Sequence, residues 1–174
     1  MPEGGLNIRW PDAPLEQERR LRLYKLEAAK AFVRANRLDK TLFRGKKPRL
    51  GIITCGKTFH DVRQAIEDLG LKETEAAELG VGLYKVAMSW PLEPTSLKAF
   101  AEGLEEVLVI EEKRPLIEGQ VKDILYGLPE KKRPRVVGKK DEQGKPLLPE
   151  TYELQVPEIA HVIAQRLLRF TKSA

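Results

Sequence analysis

The residues of this chain able to do chemistry gather at the ends of two apolar runs. Gly51-Ile52-Ile53-Thr54-Cys55-Gly56-Lys57-Thr58 matches the phosphate-loop pattern G-x-x-x-x-G-K-[S/T] letter for letter. In such a loop an apolar strand ends at the first glycine, and the next N–H groups turn to surround the phosphates. Here the run before Gly51, from Gly45 to Arg49, is polar and turn-forming, and the apolar strand comes afterwards, in Leu50 to Thr54. The expectation is a strand through Gly51 and no nucleotide hydrolysis. Gly56, Lys57 and Thr58 then fall between a strand's carboxyl end and a helix's N-terminus, where unpaired N–H groups and the helix dipole favour an anion. They are the candidate anion-binding residues. The plainer alternative makes Thr58 an N-cap, Gly56 a tight turn and Lys57 a solvated side chain.

Other reactive types lack companions. His60 falls in the first helical turn after the strand, with no Ser, Cys or Asp constellation converging on it in the sequence. Cys55, the only cysteine, stands where a thiol pKa can be lowered, but without a base beside it a structural thiol is expected. It also cannot supply the four thiolates of an iron–sulfur cluster or an all-cysteine zinc site, and only His60 and His161 could add to it. Glu111 and Glu112 end an apolar run, at the edge where open α/β sheets place functional groups; pairing with Lys113 or Arg114 is the structural alternative. No catalytic, cofactor-binding or metal-binding residue is assigned.

At 174 residues the chain suits one domain of ordinary size with extensions. The net charge is +5, but basic excess in residues 1–50 and 129–174 brackets an acidic stretch from 51 to 128. A nucleic-acid binder should carry a basic face interleaved with stacking aromatics, and the tightest basic cluster, Lys131 to Arg135, contains none. No nucleic-acid partner is expected. No apolar run approaches the roughly 18 residues of a membrane span, and the N-terminus has no signal-like apolar region. The expected location is the cytoplasm, with no membrane partner.

These residues need a scaffold, and the periodicity describes one. Leu15 to Asn36 lacks Gly and Pro, and Leu21, Tyr24, Ala28, Ala31 and Ala35 form one stripe beside Leu23, Leu26 and Phe32. Strands are expected at Thr41–Phe43, Leu50–Thr54, Val81–Met88, Val107–Ile110 and Arg135–Val137. Helices are expected from Phe59 to Leu69 with Gly70 closing it, from Thr95 to Glu102, from Pro115 to Tyr126 and from Pro157 onward, with a polar loop from Lys139 to Pro149. Strands alternating with helices imply an α/β fold, a three-layer α/β/α doubly wound, mostly parallel sheet of about five strands, plus the N-terminal helix.

The motifs also resemble a known family in their order. Arg49-LGIITCG-Lys57, DVRQAIEDLGL, GVGLYKVAMSWPLEP and LKAFAEGLEEVLVIEEKRPLIEGQVKDILYG, with a closing Gly-Lys-Lys-Asp…Gly…Leu-Pro loop, resemble the transketolase C-terminal-like domain of 2-oxoacid:ferredoxin oxidoreductases, most of all indolepyruvate ferredoxin oxidoreductase. The similarity runs from about residue 40 to 170, and LEAAKAFVRANRLDK resembles the segment leading out of the preceding domain. The chain departs from that pattern at Tyr152-Glu153-Leu154, where the family tends to have Gly-Glu-Leu.

The resemblance implies a structural and assembly domain of a thiamine-diphosphate enzyme that oxidatively decarboxylates indolepyruvate or another aryl 2-oxoacid to an acyl-CoA. Thiamine diphosphate, magnesium and iron–sulfur clusters are then expected elsewhere in the full enzyme, and none in this chain. Partners are the enzyme's other domains and, through the full enzyme, coenzyme A and ferredoxin. The chain reads as a domain of a larger polypeptide, a free-standing subunit being the other arrangement. The expected organisation is 1–45 as lead-in and N-terminal amphipathic linker helix, 46–140 as the transketolase C-terminal-like α/β domain, and 141–174 as its loop and closing helix. The competing class is a stand-alone α/β anion- or nucleotide-binding protein using Gly56-Lys57-Thr58. If the N-terminal helix were satisfied by its own body, Leu21, Tyr24, Ala28 and Phe32 would all be covered; otherwise the stripe is left for a neighbouring domain or for self-association as a homodimer.

Overall fold

The protein is described by a computed structural model covering residues 1–7 and 10–171. β2 (Leu50–Cys55) and β4 (Glu106–Ile110) are rich in β-branched and apolar residues on both faces, as strands buried on both sides must be. They pair in parallel at the middle of the sheet. β3 (Val81–Val86) lies parallel on the other side of β2, and β5 (Arg135–Val137) parallel beyond β4. β1 (Lys40–Arg44) closes the edge antiparallel to β3, giving the order β1-β3-β2-β4-β5. The sheet thus takes in residues 40–44, ahead of position 46 where the sequence reading begins the α/β domain.

Alternation divides the core into two layers. Leu50, Ile52, Leu83, Leu108 and Val137 face α3 (Thr58–Asp68), the short α4 (Glu73–Glu78) and α7 (Val156–Thr171). Ile53, Tyr84, Val107 and Val109 face α5 (Pro94–Ala101) and α6 (Leu116–Tyr126). This is the expected three-layer α/β/α arrangement. α4 is the element that periodicity did not reveal, because of its six residues only Ala76 is buried; Glu75 steadies its start by accepting the Lys72 N–H at 2.8 Å. β3 stops at Val86, short of Met88, since the next N–H, of Ala87, turns to Asp39. Among the described residues no helix is long and apolar enough to cross a membrane.

A buried ion pair ties the last helix to the sheet. Glu106, at the start of β4, and Arg166 of α7 are 1% and 2% exposed. Arg166 donates to both Glu106 oxygens, Nε at 2.6 Å, and its Nη2 also reaches Glu142 of the preceding loop at 3.0 Å. Such a pair contributes little net stability over apolar packing, but losing one partner strands a buried charge.

The N-terminal helix relates differently to the body. It consists of α1 (Pro14–Arg20), a π-helical turn at Leu21–Lys25 and α2 (Leu26–Ala35), and Val33 alone of these residues is buried. Leu21, Tyr24 and Ala28 are half-buried, while Phe32 is 62% exposed and Leu23 58%. The stripe is therefore not satisfied by its own body. What fixes the end of the helix is Arg34, whose Nη1 donates to Glu93 at 2.8 Å. Burial of Glu93 opposes its charge, but N–H donation from Ser96 and Thr95 and the Arg34 hydrogen bond prevail and bring its carboxyl down to about 2.

Two outcomes follow from these pairs. Arg166→Ala should lower unfolding free energy by about 3–5 kcal/mol in urea titrations, and the double change Glu106→Leu with Arg166→Met should recover most of it. Because folding lowers the Glu93 pKa, its contribution is fully present above the ordinary value of 4.5 and disappears as pH falls toward 2. Glu93→Gln should flatten the acid limb of the stability profile in that window by roughly 3 kcal/mol.

Candidate functional site

Parallel strands deliver all their βα loops to one edge of the sheet, and where the strand order reverses, neighbouring loops leave in opposite directions and open a crevice. Here the reversal lies between β2 and β4, whose helices α3 and α6 cover opposite faces. A crevice of about 460 Å³ opens there, lined by Cys55 to Thr58 at the end of β2 and Glu111 to Arg114 after β4.

The phosphate-loop letters do not form a phosphate loop. Gly51 to Cys55 are strand β2, hydrogen-bonded to β3 on one side, with Gly51 to Thr54 paired to β4 on the other. Gly51 has a packing reason to be glycine: a Cβ there would lie 2.4 Å from Leu104 Cδ1 and 2.9 Å from Phe100 Cε1. Gly56 takes φ +54 and makes the turn out of the strand. Thr58 is not the N-cap. It is the first residue of α3 and is buried, and Lys57 holds the cap position without a side-chain cap. Nor is Lys57 solvated and free: its ammonium meets Glu153 at 2.7 Å and Asp61 at 3.0 Å, and these hydrogen bonds raise its pKa above the ordinary lysine range. An anion at Gly56, Lys57 and Thr58 would have to compete with two carboxylates already present.

The carboxylates after β4 are also engaged. Glu111 is buried and accepts the N–H groups of Ile117 and Glu118, each at 2.8 Å, so the positive end of α6 already holds an internal anion. It does not pair with Lys113 or Arg114. Glu112 accepts the Leu154 N–H at 3.3 Å. Just before Leu154, Tyr152 stands at φ +63, a left-handed conformation that suits glycine, which gives the departure from Gly-Glu-Leu a local backbone cost.

Two buried charges at this edge went unseen in the sequence. Lys139 Nζ donates to the carbonyls of Glu111 at 2.5 Å and Pro149 at 2.9 Å, pinning the polar loop from Lys139 to Pro149; burial lowers its pKa. Glu118 accepts the Lys139 N–H at 2.8 Å and lies so close to Gly138 that a Cβ there would come within 2.4 Å of its carboxylate. The signal for Glu118 was its place on the inner stripe of α6 with Val121 and Leu125. Lys139, in an irregular segment, offered none.

No nucleophile and base converge in this crevice. Cys55 is half-buried, and burial together with the Glu111 charge raises its thiol pKa, which keeps it protonated and a poor nucleophile. His60 is exposed, its ring edge-on to Phe59 at 5.2 Å, and His161 is exposed on α7. Among the described residues no group of three or more His, Cys, Asp or Glu could hold a metal ion. The single cysteine cannot supply the thiolates of an iron–sulfur cluster. Lys57, Glu111 and Glu112 hold loops together, while Lys113 and Arg114 line the crevice as exposed cations.

Fold and site together define a three-layer α/β domain with Lys57, Glu111 and Glu112 internally engaged at the edge where open α/β sheets place ligands. A split-gene transketolase, an inactive β4 tetramer, is similar in structure at a TM-score of 0.51, with 21% identity over 75% of this chain and 41% of that one. Residues 40–174 match the indolepyruvate oxidoreductase domain, and the chain belongs to that family. The indolepyruvate oxidoreductase subunit IorA of Thermococcus kodakarensis is 31% identical over 119 residues, covering 68% of this chain and 16% of the relative. IorA of Pyrococcus abyssi is 30% identical over the same length and the same shares. The chain thus spans about one sixth of the curated relatives it matches.

If Gly51 serves close packing, Gly51→Ala should destabilise the fold by about 1–3 kcal/mol in denaturant melts. A melt unchanged by that substitution would contradict the packing role.

Proposed function

We propose that this chain is an assembly domain of a thiamine-diphosphate-dependent indolepyruvate, or aryl 2-oxoacid, ferredoxin oxidoreductase, working in the cytoplasm and holding none of the cofactors itself. In that enzyme, oxidative decarboxylation yields an acyl-CoA and passes electrons to ferredoxin; thiamine diphosphate, magnesium and iron–sulfur clusters belong to its other parts. The reading is carried by one observation above the others: a chain of this family has Lys57, Glu111 and Glu112, at its switch-point crevice, committed to internal partners. Its organisation has residues 1–39 as lead-in and linker, 40–140 as the α/β body, which takes in β1 ahead of the expected boundary at 46, and 141–174 as its closing loop and helix. The partly exposed stripe of the N-terminal helix, with Leu23 and Phe32 most open, supports packing against a neighbouring domain, since burying apolar surface contributes roughly 25 cal/mol for each Å², more than rim charge pairs provide.

A stand-alone role in binding an anion or nucleotide through Gly56-Lys57-Thr58 is the weaker reading, because a ligand there must displace Glu153 or Asp61 from Lys57. Calorimetric titration of the isolated chain with thiamine diphosphate and magnesium should give no binding at micromolar concentration. The native species captured through this chain should reduce a viologen dye when given indolepyruvate together with coenzyme A. A one-to-one titration of the chain alone, or a captured species without oxoacid-dependent reduction, would overturn the proposal.

A further inference from the structure

Where the N-terminal helix meets the body there is a second cavity, of about 350 Å³, sharing no residue with the switch-point crevice. Three arginines from three successive segments line it: Arg34 at the end of α2, Arg37 in the turn that follows and Arg44 in β1. Asp39 lines it too, but both its oxygens are taken, Oδ1 by the Ala87 N–H at 2.7 Å and Oδ2 by the Tyr84 hydroxyl at 3.2 Å. Arg34 uses Nη1 on Glu93 and Thr95, and Arg44 uses Nε and Nη2 on the carbonyls of Phe100 and Glu102. Each keeps further N–H donors. The Arg37 guanidinium makes no hydrogen bond or ion pair among the described residues.

The backbone of Arg37 makes that side chain harder to explain by structure alone. It follows the helix cap with φ +50, and the Leu38 N–H reaches back to the Val33 carbonyl at 3.0 Å, a helix-ending geometry in which glycine is the favoured residue. An arginine is thus held in a strained position without a protein partner, at the mouth of a cavity already bordered by two other guanidinium groups. Guanidinium forks match phosphate oxygens in geometry as well as charge. The cavity's volume falls at the lower end of the range for small-molecule sites. The tilted pair of Tyr84 and Phe100, with centroids 5.0 Å apart, supplies a rigid apolar floor.

We propose that this cavity binds a phosphate-bearing small molecule, with Arg34, Arg37 and Arg44 as the donors. The inference is independent of the oxidoreductase reading. Titration calorimetry of the whole chain with inorganic pyrophosphate at low ionic strength tests it. Saturable one-to-one binding is expected, and Arg37→Gly should weaken it by roughly tenfold or more while leaving the melting temperature unchanged or higher, because glycine relieves the positive φ. Lys57→Ala, at the other candidate anion site, should bind as the unaltered chain does. Absence of saturable binding, an Arg37→Gly variant that binds equally well, or loss of binding in Lys57→Ala would each overturn the proposal.

Discussion

Everything in this molecule follows from the double burial of its two central parallel strands. Ile52, Ile53, Val107 and Leu108 leave neither face of β2 or β4 for water, so helices must cover both sides. The chain meets that demand by sending the connection after β2 to one face and the connection after β4 to the other. The reversal which covers the sheet is also what opens a crevice at its carboxyl edge. A last helix, α7, is still needed to complete one face, and Arg166 fixes it to the first residue of β4, sixty positions earlier in the chain.

A second regularity concerns charge. The carboxylates of Glu93, Glu111 and Glu118, the Lys139 ammonium and the Arg166 guanidinium are all buried, and every one is hydrogen-bonded to backbone or to an opposite charge. A buried charge without a partner costs several kcal/mol, so the loops carrying these groups cannot move apart independently. At the edge where open α/β folds place ligands, such mutual pinning holds the loops after β2 and β4 in one arrangement. In the arginine-lined cavity, by contrast, Arg37 keeps its whole guanidinium uncommitted among the described residues.

Much of the architecture was legible in the residues. Short apolar runs at Leu50, Val81 and Val107, separated by amphipathic stretches, specify the layer order because burial has a local period. The literal phosphate-loop match could be discounted for the same reason: Ile52 and Ile53 read as strand whatever letters flank them. What escaped was non-local or too short to have a period. Arg34 and Glu93 pair across 59 residues and Glu106 and Arg166 across 60, separations that no window of sequence displays. Lys139 falls in a polar loop with no period to mark it, although its ammonium is drawn inward by two carbonyls. Arg37 could not be noticed either, since its significance lies in a backbone angle and in neighbours from other segments.

The claim that this domain serves by packing against the rest of an enzyme is tested most directly by amide hydrogen exchange, comparing the chain alone with the same chain in the complete oxidoreductase. The account predicts that amides from Leu15 to Ala35 become more protected in the enzyme, while those of β2 and of Gly56 to Thr58 exchange as in the isolated chain. Unchanged exchange along the N-terminal helix, with new protection confined to Gly56 to Thr58, would contradict it.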